Sequence, residues 1–204
     1  MLSRYDAVLF DFDGVLIDSE PIHFACWSEV FQPFGVTLEW ERDGKNVVGL
    51  SDRATVEYFC SLGNPPLSPE LLYREYPKKS ARFAERLVKN PVWADGIPEL
   101  LRSLDTIKKA IVTSSIRSEV EPILQAGALL PLVDAVVYGD DVRVRKPDPE
   151  PYQHAARILG VKAPLVVEDS DAGEQSGRAA GFDVLRVPDP SDTARLVRER
   201  LGLA

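Results

Sequence analysis

The sequence is poor in cysteine and contains no long apolar run. Its two cysteines, Cys26 and Cys60, occur in helix-like segments and lack the spacing of a metal site. Isolated thiols of this kind predict reduced core side chains and argue against a disulfide framework. No uninterrupted apolar segment approaches the roughly 20 residues that span a bilayer, so we expect a cytoplasmic protein with no membrane partner.

Positive charge is also scarce. The 204 residues include 24 lysines and arginines against 32 acidic residues, which gives a formal net charge of −8. This balance disfavours attraction to nucleic acid and to anionic lipid, so neither is an expected partner. A phosphorylated substrate would need a locally positive site, made by a metal ion or by a few well-placed basic side chains.

Alternating apolar runs and helical segments predict the fold class. Hydrophobic residues make up 45% of the chain, as in ordinary globular proteins, so a disordered chain is not expected. Short apolar runs that end in polar residues predict parallel strands buried on both faces. These strands are residues 7–10, 109–112, 135–138, 165–167 and 184–187, and the helices between them are 97–104, 119–126, 150–159 and 172–180. The alternation predicts an α/β fold with a parallel sheet.

The interval from about residue 18 to residue 90 breaks this alternation. It contains three predicted amphipathic helices, at 21–34, 52–62 and 68–88, and no convincing strand. We therefore predict a core domain of residues 1–17 and 92–204 and an inserted helical domain of residues 18–91. The predicted hinges are residues 16–20 and 90–96. Ligands bind beyond the carboxyl ends of strands in open parallel sheets, so polar residues that follow the strands are the candidates for function.

Two carboxylates follow the first predicted strand. Asp11 and Asp13 come directly after residues 7–10, and Gly14 permits a tight turn there. Asp11 could stay ionised and attack phosphorus as a nucleophile, while Asp13 could protonate the leaving oxygen and later accept a proton from water or an alcohol. The alternative for this pair is an Asx turn or a helix cap.

Hydroxyl groups and a lysine follow later strands. Thr113 ends the second strand and is followed by Ser114 and Ser115, a stretch that could donate hydrogen bonds to phosphate oxygens. Ser115 or Ser118 could instead cap the next helix. Lys146 precedes two prolines that stiffen its segment, and a fixed lysine can neutralise a phosphate. An ordinary solvated lysine is the alternative for that position.

A second acidic group ends the buried strand 165–167. Carboxylates at Glu168 and Asp169 would be costly there unless they were solvated, paired or bound to a hard cation. Asp11, Glu168, Asp169 and the main-chain carbonyl of Asp13 would together suit Mg²⁺, which prefers oxygen ligands. Asp169 or Asp171 could instead cap the following helix.

The ordered set of these groups resembles the haloacid dehalogenase superfamily. Its four motifs are similar to the segments at residues 11–19, at Thr113, at residues 146–149 and at residues 168–173. The resemblance covers nearly the whole chain and implies a Rossmann-like core, a helical cap inserted after the first strand, an aspartyl-phosphate intermediate and one Mg²⁺. An aspartate at the position of Asp13 favours phosphoryl transfer over dehalogenation in this family.

The resemblance extends to the helical insert. Segments at residues 20–23 and 49–53 look like cap and hinge segments of a branch that includes sugar-phosphate phosphatases and β-phosphoglucomutase. The candidates for substrate contact are His23, Arg53 and Lys78, and either Lys78 or Lys79 could match a mutase lysine. A solvated helix face is the alternative for the arginine and the lysines.

We therefore expect a Mg²⁺-dependent phosphatase that hydrolyses a small phosphorylated metabolite, such as a sugar or polyol phosphate. A hexose-phosphate mutase of the β-phosphoglucomutase type is the alternative, because neither cap segment separates hydrolysis from mutase action. A non-catalytic binder of phosphorylated metabolites is a third reading, which the complete set of candidate catalytic residues disfavours. The sequence leaves the oligomeric state open, and a monomer is plausible.

Overall fold

The chain forms two compact units. The structure, a computed structural model, describes residues 4–47, 50 and 52–203. One unit consists of Met1–Asp18 and Pro91–Ala204, and we call it the sheet unit. The other consists of Ser19–Asn90, and we call it the helical unit. The role of the helical unit as a cap stays a prediction.

Five parallel strands form one sheet in the sheet unit. Their spatial order is β3-β2-β1-β4-β5, and every neighbouring pair is parallel. β1 is a continuous run of apolar residues and is buried along its whole length. β4 is also buried throughout, as expected of strands covered on both faces. The strands are β1 (Ala7–Phe10), β2 (Lys108–Val112), β3 (Ala135–Val137), β4 (Pro164–Glu168) and β5 (Asp183–Arg186). The predicted α/β fold is confirmed.

The register of the sheet places the candidate residues at one edge. β1 lies at the centre, where Phe10 is opposite Ile111 of β2 and Val167 of β4. On one side of β1 lie β2 and then β3, and on its other side lie β4 and then β5. Such a change of direction creates a crevice at the carboxyl ends of the central strands, which is where ligands bind.

Among its described residues, the helical unit forms five α-helices around a core of its own. The aromatic residues Phe24, Trp27, Phe31 and Phe59 form the centre of that core. The helices are α1 (Glu20–Phe31), α2 (Trp40–Asp43), α3 (Asp52–Ser61), α4 (Pro69–Tyr73) and α5 (Tyr76–Lys89).

The prediction of one helix over residues 68–88 is wrong. The structure has α4 and α5 there, separated at residues 74–75. Pro77 lies in the first turn of α5, where its missing N–H costs nothing. In a continuous helix its ring would collide with the carbonyl group of Tyr73, so the helix has to start again.

Helices of the sheet unit cover the sheet. They are α6 (Ile97–Ser103), α7 (Arg117–Ala126), α8 (Glu150–Leu159), α9 (Asp171–Ala179) and α10 (Thr193–Leu201). The sequence interpretation missed α10, because its buried face consists only of Thr193, Val197 and Leu201 and gives a weak apolar period. Within the described ranges, no helix combines the length and apolar character that a membrane crossing requires.

Candidate active site

Three carboxylates meet at the carboxyl ends of β1 and β4. Asp11 follows β1, and its N–H donates to the carbonyl of Val167 at 2.9 Å, which extends the strand pairing by one residue. Glu168 ends β4, and Asp169 follows it. One oxygen from each of Asp11, Glu168 and Asp169 lies within 4.8 Å of the others. The parallel register therefore brings residues distant in sequence into a single acidic cluster.

Lys146 lies against this cluster and is almost completely buried. Its ammonium group donates to Asp11 Oδ1 at 2.7 Å, to Glu168 Oε1 at 2.6 Å and to the carbonyl of Val112 at 2.8 Å. Burial alone would lower the pKa of Lys146, but the charges of Asp11 and Glu168 raise it above its ordinary value. The lysine is therefore a fixed positive charge beside Asp11, and the alternative of a solvated lysine is wrong.

Glu168 is fully buried and has five hydrogen-bond donors. Its Oε1 accepts from Lys146 and from the hydroxyl of Tyr152 at 2.7 Å. Its Oε2 accepts from the N–H of Asp169 at 3.1 Å and from the N–H and hydroxyl of Ser170 at 3.3 and 3.0 Å. Burial would raise the pKa of Glu168, but Lys146 and Tyr152 lower it, so this carboxylate stays ionised. Its contacts suit the orientation of Lys146 better than direct metal binding.

Asp169 lies against the turn that follows β1. Gly14 in that turn has φ +69°, and a Cβ there would lie 2.1 Å from Asp169 Oδ2. Only glycine both tolerates this backbone conformation and leaves room for the carboxylate. Burial and the neighbouring charge of Glu168 raise the pKa of Asp169 to about 7.

The acidic cluster carries more negative charge than Lys146 neutralises. Burial and the charge of Glu168 raise the pKa of Asp11 well above its usual range, and Lys146 offsets this only in part. A hard divalent cation between Asp11 and Asp169 would stabilise both ionised carboxylates. These oxygen donors fit Mg²⁺, with the Asp13 carbonyl as a further candidate ligand.

The hydroxyl-rich segment after β2 lies at the same edge. Thr113 is buried, its N–H donates to Val137 O at 2.9 Å, and its hydroxyl accepts from the N–H of Ser115 at 3.0 Å. The Ser115 hydroxyl lies 3.4 Å from Asp13 Oδ2. Ser114 is half-buried between Thr113 and Ser115. The sequence interpretation named Ser115 as a possible phosphate donor or cap and missed its contact with Asp13, because that contact depends on the register of β1 with β2.

The proposed caps of the neighbouring helices are wrong. Ile116 precedes α7 and provides no side-chain cap, so neither Ser115 nor Ser118 has that role. Ser170 caps α9 by accepting from the N–H of Gly173 at 3.0 Å, which excludes Asp169 and Asp171. The Asp171 side chain is exposed and pairs with an arginine at the end of β5.

A family comparison agrees with this arrangement. The profile of the haloacid dehalogenase-like hydrolases matches residues 8–187. The chain belongs to the haloacid dehalogenase-like hydrolase family. This confirms the resemblance inferred from the sequence, and it makes the protein an enzyme of the phosphomonoester hydrolase type.

Three similar proteins illustrate the family. The fructose-1-phosphate phosphatase of Escherichia coli is 31% identical over 199 residues, which cover 92% of this chain and 98% of that protein. The phosphorylated carbohydrates phosphatase of Thermotoga maritima is 32% identical over 87% of this chain and 82% of its own. A subfamily IA hydrolase of Geobacter sulfurreducens shares the fold with a TM-score of 0.74, at 22% identity over 96% of this chain and 97% of that one.

Two residues of the hydrolase site escaped the sequence interpretation. Tyr152 lies on the buried face of α8, donates to Glu168 and places its ring 4.9 Å from the Lys146 ammonium. The hydroxyl of Ser176 on α9 donates to the carbonyl of Asp148 at 2.5 Å and ties down the segment that carries Lys146. Tyr152 and Ser176 bond to residues that are distant in sequence. The only sequence signal for them was the apolar periodicity of α8 and α9, which indicates the buried face of each helix.

The candidate residues of the helical unit differ in their burial and in their pairing. Arg53 and Lys78 are exposed and pair with Glu57 and Glu75 on their own unit. Lys79 is instead the buried lysine, with its ammonium 2.6 Å from His23 Nδ1. Gly49 and Ser51 of the predicted hinge segment lie outside the described residues.

Proposed function

We propose that this hydrolase is a Mg²⁺-dependent phosphatase of small sugar or polyol phosphates that acts through a phosphorylated Asp11. The observation that carries the proposal is the contact of the buried Asp11 carboxylate with Lys146, next to Glu168 and Asp169. A carboxylate fixed at a strand end beside a buried cation is suited to attack an electrophilic phosphorus.

In the first step a carboxylate oxygen of Asp11 forms a bond to phosphorus and the bond from phosphorus to the substrate oxygen breaks. Asp13, in its protonated form, gives its proton to that leaving oxygen. The products of this step are the alcohol, the Asp11 acyl phosphate and ionised Asp13.

In the second step water replaces the alcohol. Asp13 takes a proton from the water as its oxygen bonds to phosphorus, and the bond between phosphorus and Asp11 breaks. This releases inorganic phosphate and returns Asp11 to its ionised form and Asp13 to its protonated form. Asp13 precedes the turn in which the Gly14 N–H donates to Ile17 O at 2.9 Å, and this turn supports its proposed role two residues after the nucleophile.

The remaining site residues would neutralise the transferring group. Lys146 and the hydroxyls of Thr113 and Ser114 are the proposed phosphate contacts. Asp11, Asp169 and the Asp13 carbonyl would hold Mg²⁺, which offsets the negative charge of phosphate and carboxylate when it is bound. Glu168, predicted as a metal ligand, is assigned to the orientation of Lys146.

The substrate class rests on two independent supports. The phosphatases named above act, by their names, on fructose 1-phosphate and on phosphorylated carbohydrates. The acidic balance of this chain disfavours phosphorylated polymers such as nucleic acid. We therefore assign a small metabolite as substrate and the helical unit as the cap that recognises it.

A phosphate-release screen tests the proposal. Wild-type protein should release phosphate from sugar and polyol phosphates in the presence of Mg²⁺, and excess chelator should abolish the release. Asp11→Asn should be inactive because the amide cannot serve as the nucleophile. Asp171→Asn, which removes an exposed carboxylate close in sequence, is the matched control and should keep wild-type activity. A wild-type protein that neither releases phosphate nor becomes phosphorylated would refute the proposal.

The hexose-phosphate mutase is the alternative that the same site could serve, with a sugar hydroxyl in place of water. Incubation with β-glucose 1-phosphate and a trace of glucose 1,6-bisphosphate separates the two activities. We expect inorganic phosphate to exceed glucose 6-phosphate. The opposite ratio would replace the phosphatase with the mutase.

A further inference from the structure

The turn that follows β3 lies between the two segments that carry the proposed phosphate contacts. It consists of residues 138–141, and we call it the β3 turn. The N–H of Asp141 donates to Tyr138 O at 3.0 Å, and the N–H of Tyr138 donates to Asp141 Oδ2 at 2.9 Å, so the turn is closed by two hydrogen bonds. None of its residues takes part in the proposed chemistry, yet the turn contacts both of those segments.

Gly139 contacts the hydroxyl-rich segment after β2. Its N–H donates to Ser115 O at 2.8 Å. A Cβ at position 139 would lie 2.2 Å from the carbonyl oxygen of Ser114, which is far closer than a van der Waals contact. Because the crowded atom belongs to the main chain, no side-chain rotation can relieve the clash. Any residue with a Cβ at this position therefore has to move the Ser114 peptide group or the β3 turn.

The same glycine contacts the segment that carries Lys146. The Nε of Arg145 donates to Gly139 O at 3.1 Å, and a Cβ at position 139 would lie 2.9 Å from that nitrogen. Arg145 directly precedes Lys146, whose ammonium contacts Asp11. Gly139 thus binds one segment through its N–H and the other through its carbonyl group. The backbone of this residue sets the spacing between the two segments.

Asp140 holds the end of the hydroxyl-rich segment where α7 begins. Its Oδ1 accepts from the N–H of Arg117, the first residue of α7, at 3.0 Å. Ile116 at the N-cap position provides no side-chain cap, so a carboxylate of the β3 turn satisfies this N–H instead. Asp141 reinforces the contact, because both of its oxygens accept from the Arg117 guanidinium, at 2.9 and 3.0 Å. The β3 turn therefore fixes the hydroxyl-rich segment at two points.

We propose that the β3 turn positions the phosphate site, with Gly139 and Asp140 as its positioning residues. The proposal rests on the proposed function, in which Thr113, Ser114 and Lys146 contact the phosphate. Groups on two different segments can act on one small anion only at a fixed spacing, because small displacements of such groups are costly. Gly139 and Asp140 act through the main chain that they hold and make or break no bond in the reaction.

Inhibition by inorganic phosphate tests the proposal. Phosphate is a product and competes with p-nitrophenyl phosphate, so its inhibition constant with Mg²⁺ present measures binding at the phosphate site. Gly139→Ala should raise this inhibition constant about tenfold or more, because displaced donors lose charge-assisted hydrogen bonds to the anion. The KM of the ester should rise as well. A loss of stability alone would lower the amount of active enzyme and leave both constants unchanged.

Gly160→Ala is the control for the glycine variant. It also adds a Cβ in the sheet unit, at a positive φ of +67°, but nothing lies within 4 Å of that Cβ. We expect Gly160→Ala to lose stability and to keep the wild-type inhibition constant for phosphate.

Two aspartates on opposite sides of β3 give a second matched pair. Asp140 accepts the N–H of Arg117 at 3.0 Å, and Asp134 accepts the N–H of Lys109 at 2.7 Å. Asp140→Ala should raise the inhibition constant about threefold or more, because the start of α7 loses its carboxylate acceptor. Asp140→Asn keeps an acceptor and should restore most of the wild-type value, whereas Asp134→Ala should leave the constant unchanged. Asp140 is exposed, so this pair tests the proposal even if Gly139→Ala fails to fold.

The outcomes separate the β3 turn from the chemistry. The positioning role is wrong, and the phosphatase stands, if wild-type enzyme hydrolyses the ester and a folded Gly139→Ala variant keeps the wild-type inhibition constant. The same conclusion follows if Gly139→Ala does not fold and Asp140→Ala keeps the constant, or if Asp134→Ala raises it as much as Asp140→Ala does. If wild-type enzyme neither hydrolyses the ester with Mg²⁺ present nor becomes phosphorylated, the phosphatase proposal fails and the positioning role fails with it.

Discussion

The sheet unit and the helical unit each contain a buried lysine that contacts carboxylates, and these two lysines, Lys146 and Lys79, have different charge surroundings. Lys146 faces three carboxylates, so its site keeps an excess of negative charge. Lys79 contacts the single carboxylate of Asp52 and the His23 imidazole, so its charge is paired one to one with a carboxylate. A buried site with excess negative charge favours the binding of a cation, whereas a lysine paired with one carboxylate leaves no such excess. The number of carboxylates around a buried lysine, and not the lysine itself, therefore sets the net charge of its site.

Substitution of each lysine tests this difference most directly and should give the largest effects on stability and turnover. Lys146→Met leaves three neighbouring carboxylates without their partner and should destabilise the protein by about 3–5 kcal/mol. Turnover of p-nitrophenyl phosphate should fall about 10²–10³-fold, because a fixed charge on the reacting group is lost. Lys79→Met leaves the half-exposed Asp52 with its Trp27 donor and should cost about 1–2 kcal/mol.

Urea unfolding in the presence of chelator measures both stability changes, and phosphate-ester turnover with Mg²⁺ measures the activities. Lys79→Met should keep turnover of this small ester within about tenfold of wild type, because Lys79 pairs with Asp52 and contacts His23 within the helical unit and is not among the described groups that contact Asp11. Equal losses of stability and activity in the two variants would contradict the contrast between the two regions.

Two glycines sharpen the account of the sheet-unit site. Gly14 and Gly160 have nearly the same positive φ, +69° and +67°, so alanine should cost each about 1–2 kcal/mol of backbone strain. A Cβ at Gly14 would also strike Asp169, whereas nothing lies within 4 Å of a Cβ at Gly160. Activity should therefore fall about 10²-fold or more in Gly14→Ala, since small displacements of catalytic groups are costly.

Gly160→Ala should unfold at lower urea than wild type but keep its kcat. Parallel unfolding curves and kcat measurements give the comparison directly. Comparable activity losses in both variants would mean that strain, and not the displacement of Asp169, explains the Gly14→Ala result.

The smallest expected effect comes from removal of the Tyr152 hydroxyl, which donates a hydrogen bond to Glu168. Tyr152→Phe should reduce kcat about tenfold with KM nearly unchanged and cost about 1 kcal/mol, because the buried carboxylate loses one of its donors. Tyr58→Phe removes an exposed tyrosine contact with Asn46 in the helical unit and serves as the control. An unchanged kcat in Tyr152→Phe would show that Lys146 keeps its position without this hydroxyl.

The sequence was sufficient for the sheet and for the convergence of its edge residues. Apolar runs before Asp11, Thr113 and Asp169 predicted parallel strands, and parallel strands bring their carboxyl ends to one edge. The contacts of Glu168 could not be predicted in the same way. They depend on how α8 is rotated against the sheet, which brings Tyr152 to its carboxylate, and no local pattern specifies that rotation.

The helical unit shows a second limit. Lys78 and Lys79 are adjacent, so the choice between them depends on the rotation of one helix by about 100°. That rotation follows from where α5 begins, and its start at Tyr76, just before Pro77, was not recognised when residues 68–88 were taken as one helix. The sequence therefore left the choice between Lys78 and Lys79 open, and the structure shows that Lys79 is the buried one. The roles of His23, Arg53 and Lys78 as substrate contacts stay predictions.

The central position of β1 has a consequence for how the chain acquires its structure during synthesis. β1 is made first, yet its partners β2 and β4 leave the ribosome only after the whole helical unit. The described core cluster of the helical unit lies entirely within Ser19–Asn90, so this unit can fold before the sheet is complete. Asp11 meets Glu168 and Asp169 only when β4 joins the sheet, so the acidic cluster forms late in synthesis.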